Sequence, residues 1–397
     1  MTLSLIVTLI RGGSASLSIT RLPRPQMLSS SKYGDVPPPT EVTLALTSAC
    51  NLRCRMCGQR GDAAVRPPRP AQLGIDTVKR VIDQAIDAAP RVGFYFWGGE
   101  PLLHPGLGEA CIYAKDRGAY VDVNTNGVFL SKHALGLVQS GLDALYVSLD
   151  GPSASSCDAI RGLGTFDAAL RGVHEVLECR NRLGLRHPEI YYVCTVLGAN
   201  YLELPGFALL CRSSGVDGLC VQLPVYVTPE WGRATGAQWR SAYGIDLVSW
   251  RAFDHPHLRN GILSTQLASS LSALKADSRG FKLLITPYGY SCAQLSEYFD
   301  DVKWRMHSRH ARCEKVYFRT NIQPDGSVTP CGDFPEYVCG NVLHEALTAI
   351  WNGEKYRRFR EALAHALFPV CYRCCELFDG RERVDSEDAT RAYWRAR

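Results

Sequence analysis

The sequence predicts an α/β protein built on a parallel sheet and followed by a small cysteine-rich unit. Three observations predict it. Between Glu41 and Leu223, short β-branched or aromatic runs alternate with helical patterns. A polar signature stands immediately after each of the first four runs. The 16 cysteines are unevenly placed, with three between positions 50 and 57 and seven from 292 to 375.

Residues 1–38 are Ser-, Arg- and Pro-rich, end in the Pro37-Pro38-Pro39 run and read as a flexible N-terminal extension. The predicted strands are Glu41–Leu46, Val92–Phe96, Tyr120–Asn124, Ala144–Ser148, Ile190–Val196 and Gly218–Leu223. Ile75–Ala89 carries Ile75, Val78, Val81, Ile82, Ala85 and Ile86 at helical spacing. Leu107–Arg117, Lys132–Ser140, Asp167–Leu183 and Tyr201–Ser214 fill the other gaps as helices. Strands separated by crossover helices are parallel, with right-handed connections. After Leu223 the repeat is expected to end. Pro224 to about Ser291 is rich in Trp, Tyr, Pro and His, with short helical stretches such as Leu263–Leu274. Asn321–Val328 reads as a hairpin turning at Asp325-Gly326. A helical run over Glu345–Leu367 and a charged helical tail over Val384–Arg397 follow.

Composition excludes several classes. The 397 residues are 46% hydrophobic and 21% charged, ordinary for a globular protein and incompatible with a disordered or fibrous one. The formal net charge of +5 is too weak a bias for a nucleic-acid binder. The longest apolar run, Leu3–Ile10, contains Ser4 and Thr8 and lacks a preceding positive segment, so neither a membrane span nor a signal peptide is expected. Cysteines at this density without an export signal point to metal or redox chemistry. The six at 111, 157, 179, 194, 211 and 220 are singletons and read as buried small hydrophobes.

The carboxyl ends of parallel strands share one edge of the sheet. Four signatures therefore converge there: Cys50 to Cys57, Gly98-Gly99-Glu100, Thr125-Asn126-Gly127 and Ser148-Leu149-Asp150-Gly151, where barrels and open α/β folds place their sites. Cys50-x3-Cys54-x2-Cys57 can hold three irons of a cubane, leaving the fourth open to a small molecule. The competing zinc reading needs a fourth ligand for a closed site, and the loop has none. Gly98 and Gly99 permit close backbone approach, and Glu100 can accept from an ammonium group; alone, the trio also reads as a strand-to-helix turn. Asn126, Ser148 and Asp150 can bond hydroxyls or cap helices. Arg161 can clamp a carboxylate or lie at the surface.

Cys50-Asn51-Leu52-Arg53-Cys54-Arg55-Met56-Cys57 resembles the cluster loop of radical S-adenosylmethionine (SAM) enzymes. Met56 departs from the aromatic residue usual there in that family. The resemblance covers about Glu41–Leu223. Residues from Cys313 to about Glu376 resemble the appended SPASM domain: Cys313-x12-Gly326-x4-Cys331, then Cys371-x2-Cys374, with Asn341, Ile350-Trp351 and Arg360 between. Four cysteines match its shortened twitch form; a four-cysteine zinc ribbon has the same spacing.

The resemblance implies a partial parallel (β/α)6 radical SAM barrel followed by a SPASM/twitch domain. The corresponding division is extension 1–38, core barrel 39–235, connecting and substrate-facing region 236–300, auxiliary domain 301–380 and charged tail 381–397. It implies a SAM-binding [4Fe–4S] cluster on Cys50, Cys54 and Cys57, and one auxiliary [4Fe–4S] cluster on Cys313, Cys331, Cys371 and Cys374. It assigns Gly98, Gly99 and Glu100 to the SAM amine and the strand ends with Asn126, Ser148 and Asp150 to SAM contacts such as its ribose; Met56 and Arg161 complete the cofactor-binding candidates, Arg161 as a clamp for the SAM carboxylate. The implied activity is reductive SAM cleavage to a 5′-deoxyadenosyl radical that abstracts a substrate hydrogen. An external donor such as flavodoxin or ferredoxin and a reducing cytoplasm are expected, without nucleic-acid or membrane partners. The favoured substrate is a small molecule oxidised or otherwise modified in a biosynthetic pathway. Alternatives are maturation of a ribosomal peptide by thioether or C–C crosslinking, SAM group transfer to a soft atom, suggested by vicinal Cys374 and Cys375, and a non-catalytic Fe–S or zinc scaffold. No general base is assignable. Cys292, Cys339 and Cys375 are spare. His104, His255 and His257 show no ligand spacing, and Trp231, Trp239, Tyr243 and Trp250 read either as core or as pocket wall.

Overall fold

The computed structural model describes residues 36–61, 64, 70–255, 258, 260–286, 292–300 and 313–374. Most of the N-terminal extension, the charged tail, Cys375 and His257 therefore lie outside the described residues. A single ten-stranded sheet organises the chain. Its strands are β1 (Glu41–Ala45), β2 (Gly93–Trp97), β3 (Tyr120–Thr125), β4 (Ala144–Ser148), β5 (Glu189–Thr195), β6 (Gly218–Gln222), β7 (Lys282–Thr286), β8 (Arg319–Ile322), β9 (Ser327–Thr329) and β10 (Gly340–Asn341). The spatial order is β10-β9-β8-β1-β2-β3-β4-β5-β6-β7. Pairing is parallel from β8 through β7 and antiparallel only at β8–β9 and β9–β10.

The period-2 alternation of the strands builds two different faces. Phe94, Phe96, Val121, Val123, Leu145, Val147, Leu219 and Val221 meet the crossover helices on one side. These helices are α1 (Ile75–Ala88), α2 (Leu107–Asp116), α3 (Leu130–Gln139), α4 (Ala154–Arg161), α5 (Thr165–Arg182) and α6 (Gly206–Ser214). In α1, Val78, Val81, Ile82 and Ala85 form the buried stripe. Tyr95, Trp97, Tyr146, Tyr191, Val193 and Cys220 point to the opposite, inner face. Tyr146 stacks on Tyr191 with centroids 5.3 Å apart, filling the middle of that face. Helices on one face and a packed inner layer on the other give the expected α/β barrel-type architecture.

The repeat does not end at Leu223. β7 adds a further parallel strand beside β6, with Gly218 opposite Lys282 and Gln222 opposite Thr286. It lies within the stretch read as a connecting region. The helical stretch expected at Leu263–Leu274 is α8 (Ser264–Ala276), whereas α7 (Pro229–Tyr243) exceeds the expectation. The signals for α7 were present: Thr228 caps it by accepting from the Trp231 N–H at 3.3 Å, Pro229 opens it and Gly244 ends it in a left-handed conformation. Gly232 and Gly236 dilute its periodicity. Trp250 lies where a Cβ on Gly232 would stand, 2.1 Å away, so the glycine serves packing.

A short helix α9 (Cys292–Asp300) precedes the C-terminal unit. The expected hairpin is β8–β9, turning at Gln323–Gly326, where the Gly326 N–H donates to Gln323 O at 2.9 Å. The helical run divides at Asn352-Gly353 into α10 (Leu347–Trp351) and α11 (Glu354–His365). This unit is continuous with the core: β8 pairs with β1, Glu41 forms a buried ion pair with Arg319, and Thr43 donates to Asn321 Oδ1 at 2.8 Å. Trp239 of α7 meets Tyr243, Tyr337, Phe359 and Phe368 edge-on, which identifies these aromatics as core between α7 and the C-terminal unit.

Candidate active site

The loop carrying Cys50, Cys54 and Cys57 leaves the carboxyl edge of β1 and is fixed by backbone bonds to its neighbours. The Glu100 N–H donates to Ala49 O at 2.7 Å, and the Arg55 N–H donates to Ile160 O at the end of α4 at 2.9 Å. Within the loop the Cys57 N–H donates to Cys54 O, and Gly61 N–H to Cys57 O. Met56 is buried in the inner apolar cluster beside Ala45, Tyr95 and Trp97. All three cysteines are partly buried. Burial pushes the Cys50 thiol up to about 11 and also raises Cys54, against the pull of Arg161. Burial acts on Cys57 in the same way, and the N–H groups of Gln59, Arg60 and Gly61 oppose it. Cys50 accepts from the Leu52 N–H at 3.4 Å. Three sulfurs in one loop, each faced by N–H donors, suit thiolates bound to a cluster.

Gly98 and Gly99 adopt positive φ angles of 92° and 49°. A Cβ on Gly98 would stand 2.6 Å from Ala45 Cα, and one on Gly99 would stand 2.0 Å from Ala49 O. These glycines let the turn press against the stem of the cysteine loop. Glu100 is fully buried. Its carboxylate accepts from Leu102 N at 3.0 Å, Thr125 Oγ1 at 2.6 Å and Asn126 N at 2.7 Å. Burial raises its pKa and these donors oppose the rise. The carboxylate thus ties the turn after β2 to the end of β3.

Asn126 reaches the cysteine loop: its Nδ2 donates to Asn51 Oδ1 at 2.8 Å and lies 3.9 Å from Cys50 Sγ. Asp150, fully buried after β4, accepts from Thr195 N at 2.7 Å and pairs with Arg161 Nε at 2.7 Å. The Arg161 guanidinium extends from that pair to 3.9 Å from Cys54 Sγ. Ser148 closes β4 on the inner face, close to fully buried. Every residue assigned to SAM thus gathers at the one sheet edge, around the three-cysteine loop. His104 is structural. It accepts from the Gly106 N–H at Nδ1, so Nε2 carries the proton and donates to Leu73 O at 2.8 Å.

The second cysteine set also converges. Burial raises the Cys331 thiol well above its ordinary value, with added repulsion from Asp333, Cys371, Cys374 and Cys313; Cys371 is raised by burial, Cys374 and Cys313. Burial pushes the Cys339 thiol up to about 12, against the charges of Arg360 and Lys355. Among the described residues no three His, Cys, Asp or Glu side chains are close enough to share a single metal ion; a cubane, with one iron per thiolate, asks for a wider set. Arg373, inside the Cys371–Cys374 pair, was not anticipated: it is buried, donates from Nε to Tyr298 O at 2.8 Å and stacks 4.4 Å from both Tyr226 and Trp231. Cys292 is exposed on α9.

Comparison with known proteins agrees with this geometry. Residues 44–185 match the radical SAM superfamily, and residues 313–375 match the SPASM iron–sulfur cluster-binding domain. The AdoMet-dependent heme synthase of Methanosarcina barkeri is 34% identical over 331 residues, covering 81% of this chain and 85% of that protein. A tungsten-containing aldehyde ferredoxin oxidoreductase cofactor-modifying protein of Pyrococcus furiosus is 26% identical over 365 residues, covering 87% and 89%. Streptococcus suis SuiB, solved with its precursor peptide SuiA, superposes with a TM-score of 0.59 at 14% identity, over 82% of this chain and 67% of that one, and so shares the fold. Among the described residues no helix is long and apolar enough to cross a membrane. Family match, full-length relative and fold agree: the chain belongs to the radical SAM superfamily, as an enzyme of SAM and a [4Fe–4S] cluster that also carries an iron–sulfur-binding SPASM domain.

Proposed function

We propose that this enzyme modifies a small molecule in a cofactor or related biosynthetic pathway, with one auxiliary [4Fe–4S] cluster serving electron transfer. When bound, the core cluster and SAM supply reductive cleavage to methionine and a 5′-deoxyadenosyl radical that takes a hydrogen atom from substrate. Cys50, Cys54 and Cys57 hold the core cluster, and Cys313, Cys331, Cys371 and Cys374 the auxiliary one. Met56, Gly98, Gly99, Glu100, Asn126, Ser148, Asp150 and Arg161 form the SAM site. Glu100 and Asp150 have no exposed surface. They therefore serve by holding the backbone and side chains that SAM meets. Tyr95, Tyr146 and Tyr191 pack the inner face below and keep water from the reacting end. Substrate enters above them, where Ser148, Thr195, Gln222 and Thr286 end their strands on the inner face. Flavodoxin or ferredoxin in a reducing compartment supplies the electron.

The observation that carries this reading is the gathering of a three-thiol loop, without a fourth ligand of its own, and the strand-end polar groups on one sheet edge. The small-molecule class is supported by full-length relatives named for heme synthesis and for cofactor modification. The peptide reading draws on SuiB and its precursor peptide, which share only the fold with this chain. The test is anaerobic turnover with deuterated candidate substrates. Deuterium in 5′-deoxyadenosine from a tetrapyrrole or another small cofactor precursor supports the proposal. Transfer only from peptides overturns the small-molecule class.

A further inference from the structure

Two side chains face the sulfurs of the cysteine loop, and both are locked in direction. The Asn126 amide cannot flip, because its Oδ1 accepts from the Val128 N–H at 3.0 Å; Nδ2 is thereby aimed at Asn51 Oδ1 and at Cys50 Sγ, 3.9 Å away. The Arg161 guanidinium is planar, and its Nε edge is pinned to Asp150 at 2.7 Å. Asp150 is itself held by the Thr195 N–H at 2.7 Å, and its carbonyl accepts from Asn200 Nδ2 at 2.8 Å. The other end of the guanidinium stands 3.9 Å from Cys54 Sγ. Cys57 is served by the backbone N–H groups of Gln59, Arg60 and Gly61. Arg161 and Asp150 are shielded from water, so charge and dipoles here act through a weakly screening medium.

We propose that Asn126 and Arg161 are positioning residues for the core cluster, whose N–H groups donate to the sulfurs of Cys50 and Cys54 and raise its reduction potential before SAM binds. The inference rests on the reading that these cysteines hold the cluster. Reduction adds negative charge that is shared with the thiolate sulfurs. N–H donors and a buried cation favour that state, and their removal lowers the potential.

The test is an EPR-monitored redox titration of the full-length, cluster-loaded protein without SAM. The core signal is identified as the one that changes when SAM is added. Asn126→Asp keeps the acceptor for Val128 but replaces the donor by a carboxylate, and the midpoint should fall. The double variant Asp150→Asn/Arg161→Met removes the cation without stranding a buried carboxylate, and the midpoint should fall again. Arg161→Lys keeps the charge but loses the guanidinium arm that reaches Cys54, and the midpoint should fall by less than in the double variant. Wild-type midpoints in Asn126→Asp and in the double variant overturn the inference, even if SAM affinity drops; both residues would then serve SAM alone and the proposed function would stand. If the double variant assembles no cluster, Asn126→Asp and Arg161→Lys decide: unmoved midpoints in both overturn it. A wild-type protein in which Cys50, Cys54 and Cys57 hold no iron would instead defeat the underlying reading.

Discussion

Glu100 shows how a residue can be legible in type yet opaque in role. Its position after the second strand marks it for the site. That it accepts three donors with no exposed surface follows only from the meeting of two strand ends. Glu100→Gln would set an amide N–H2 against at least one of those donors. Losing a charge-assisted bond costs about 1.5–3 kcal/mol, so the thermal midpoint should fall, and SAM should bind more weakly because the turn and strand end that frame its site loosen, while the core cluster stays loaded. An unchanged SAM dissociation constant in anaerobic binding measurements would reduce Gly98-Gly99-Glu100 to a turn. Gly99→Ala carries a different prediction. Its φ of 49° is costly for alanine, about 1–3 kcal/mol, and its Cβ would collide with Ala49 O. A lower thermal midpoint and a poorly loaded cluster should appear together, since one backbone contact serves both.

At the scale of elements, strands were readable because each is a short apolar run bounded by polar or Gly-containing turns. Predicted and observed bounds for β1 to β6 differ by about one residue at an end. β7 was not readable. Lys282–Thr286 is a single five-residue run, and only β6 beside it makes it a strand. α4 and α7 were missed because serines in one and glycines in the other weaken the helical period, although Ser153 and Thr228 cap them. The singleton cysteines divide by element. Cys111, Cys157, Cys194, Cys211 and Cys220 are buried as expected, whereas Cys179 on α5 is partly exposed and Cys292 on α9 is exposed. Burial pushes Cys111, Cys157 and Cys211 up to about 12. Their thiolate fraction at neutral pH is therefore negligible, and thiolate is the reactive form. Brief alkylation of cluster-loaded protein at pH 7.5 (about one unit below a free thiol) should label Cys292 and spare those five, as read by peptide mass spectrometry. Early labelling of Cys111 or Cys211 would mean that the helix layer opens readily.

At the scale of the molecule, one sheet joins two iron–sulfur units, because β8 of the C-terminal unit pairs with β1, the strand that leads into the first cysteine loop. On the proposed ligand sets the two clusters share no cysteine. Cys371→Ala with Cys374→Ala should lower iron from about eight to about four per chain, four per cubane. SAM should still be cleaved with a strong reductant, while net product falls for want of an electron acceptor. Stoichiometric zinc in the wild type would assign the second set to a ribbon instead. The central claim is that the loop of Cys50, Cys54 and Cys57 carries the cluster that cleaves SAM, and its most direct test is 5′-deoxyadenosine formation by the triple variant Cys50→Ala/Cys54→Ala/Cys57→Ala, prepared without oxygen and supplied with dithionite and SAM. The account predicts no 5′-deoxyadenosine above background while the second cluster remains loaded; continued SAM cleavage by that variant would contradict it.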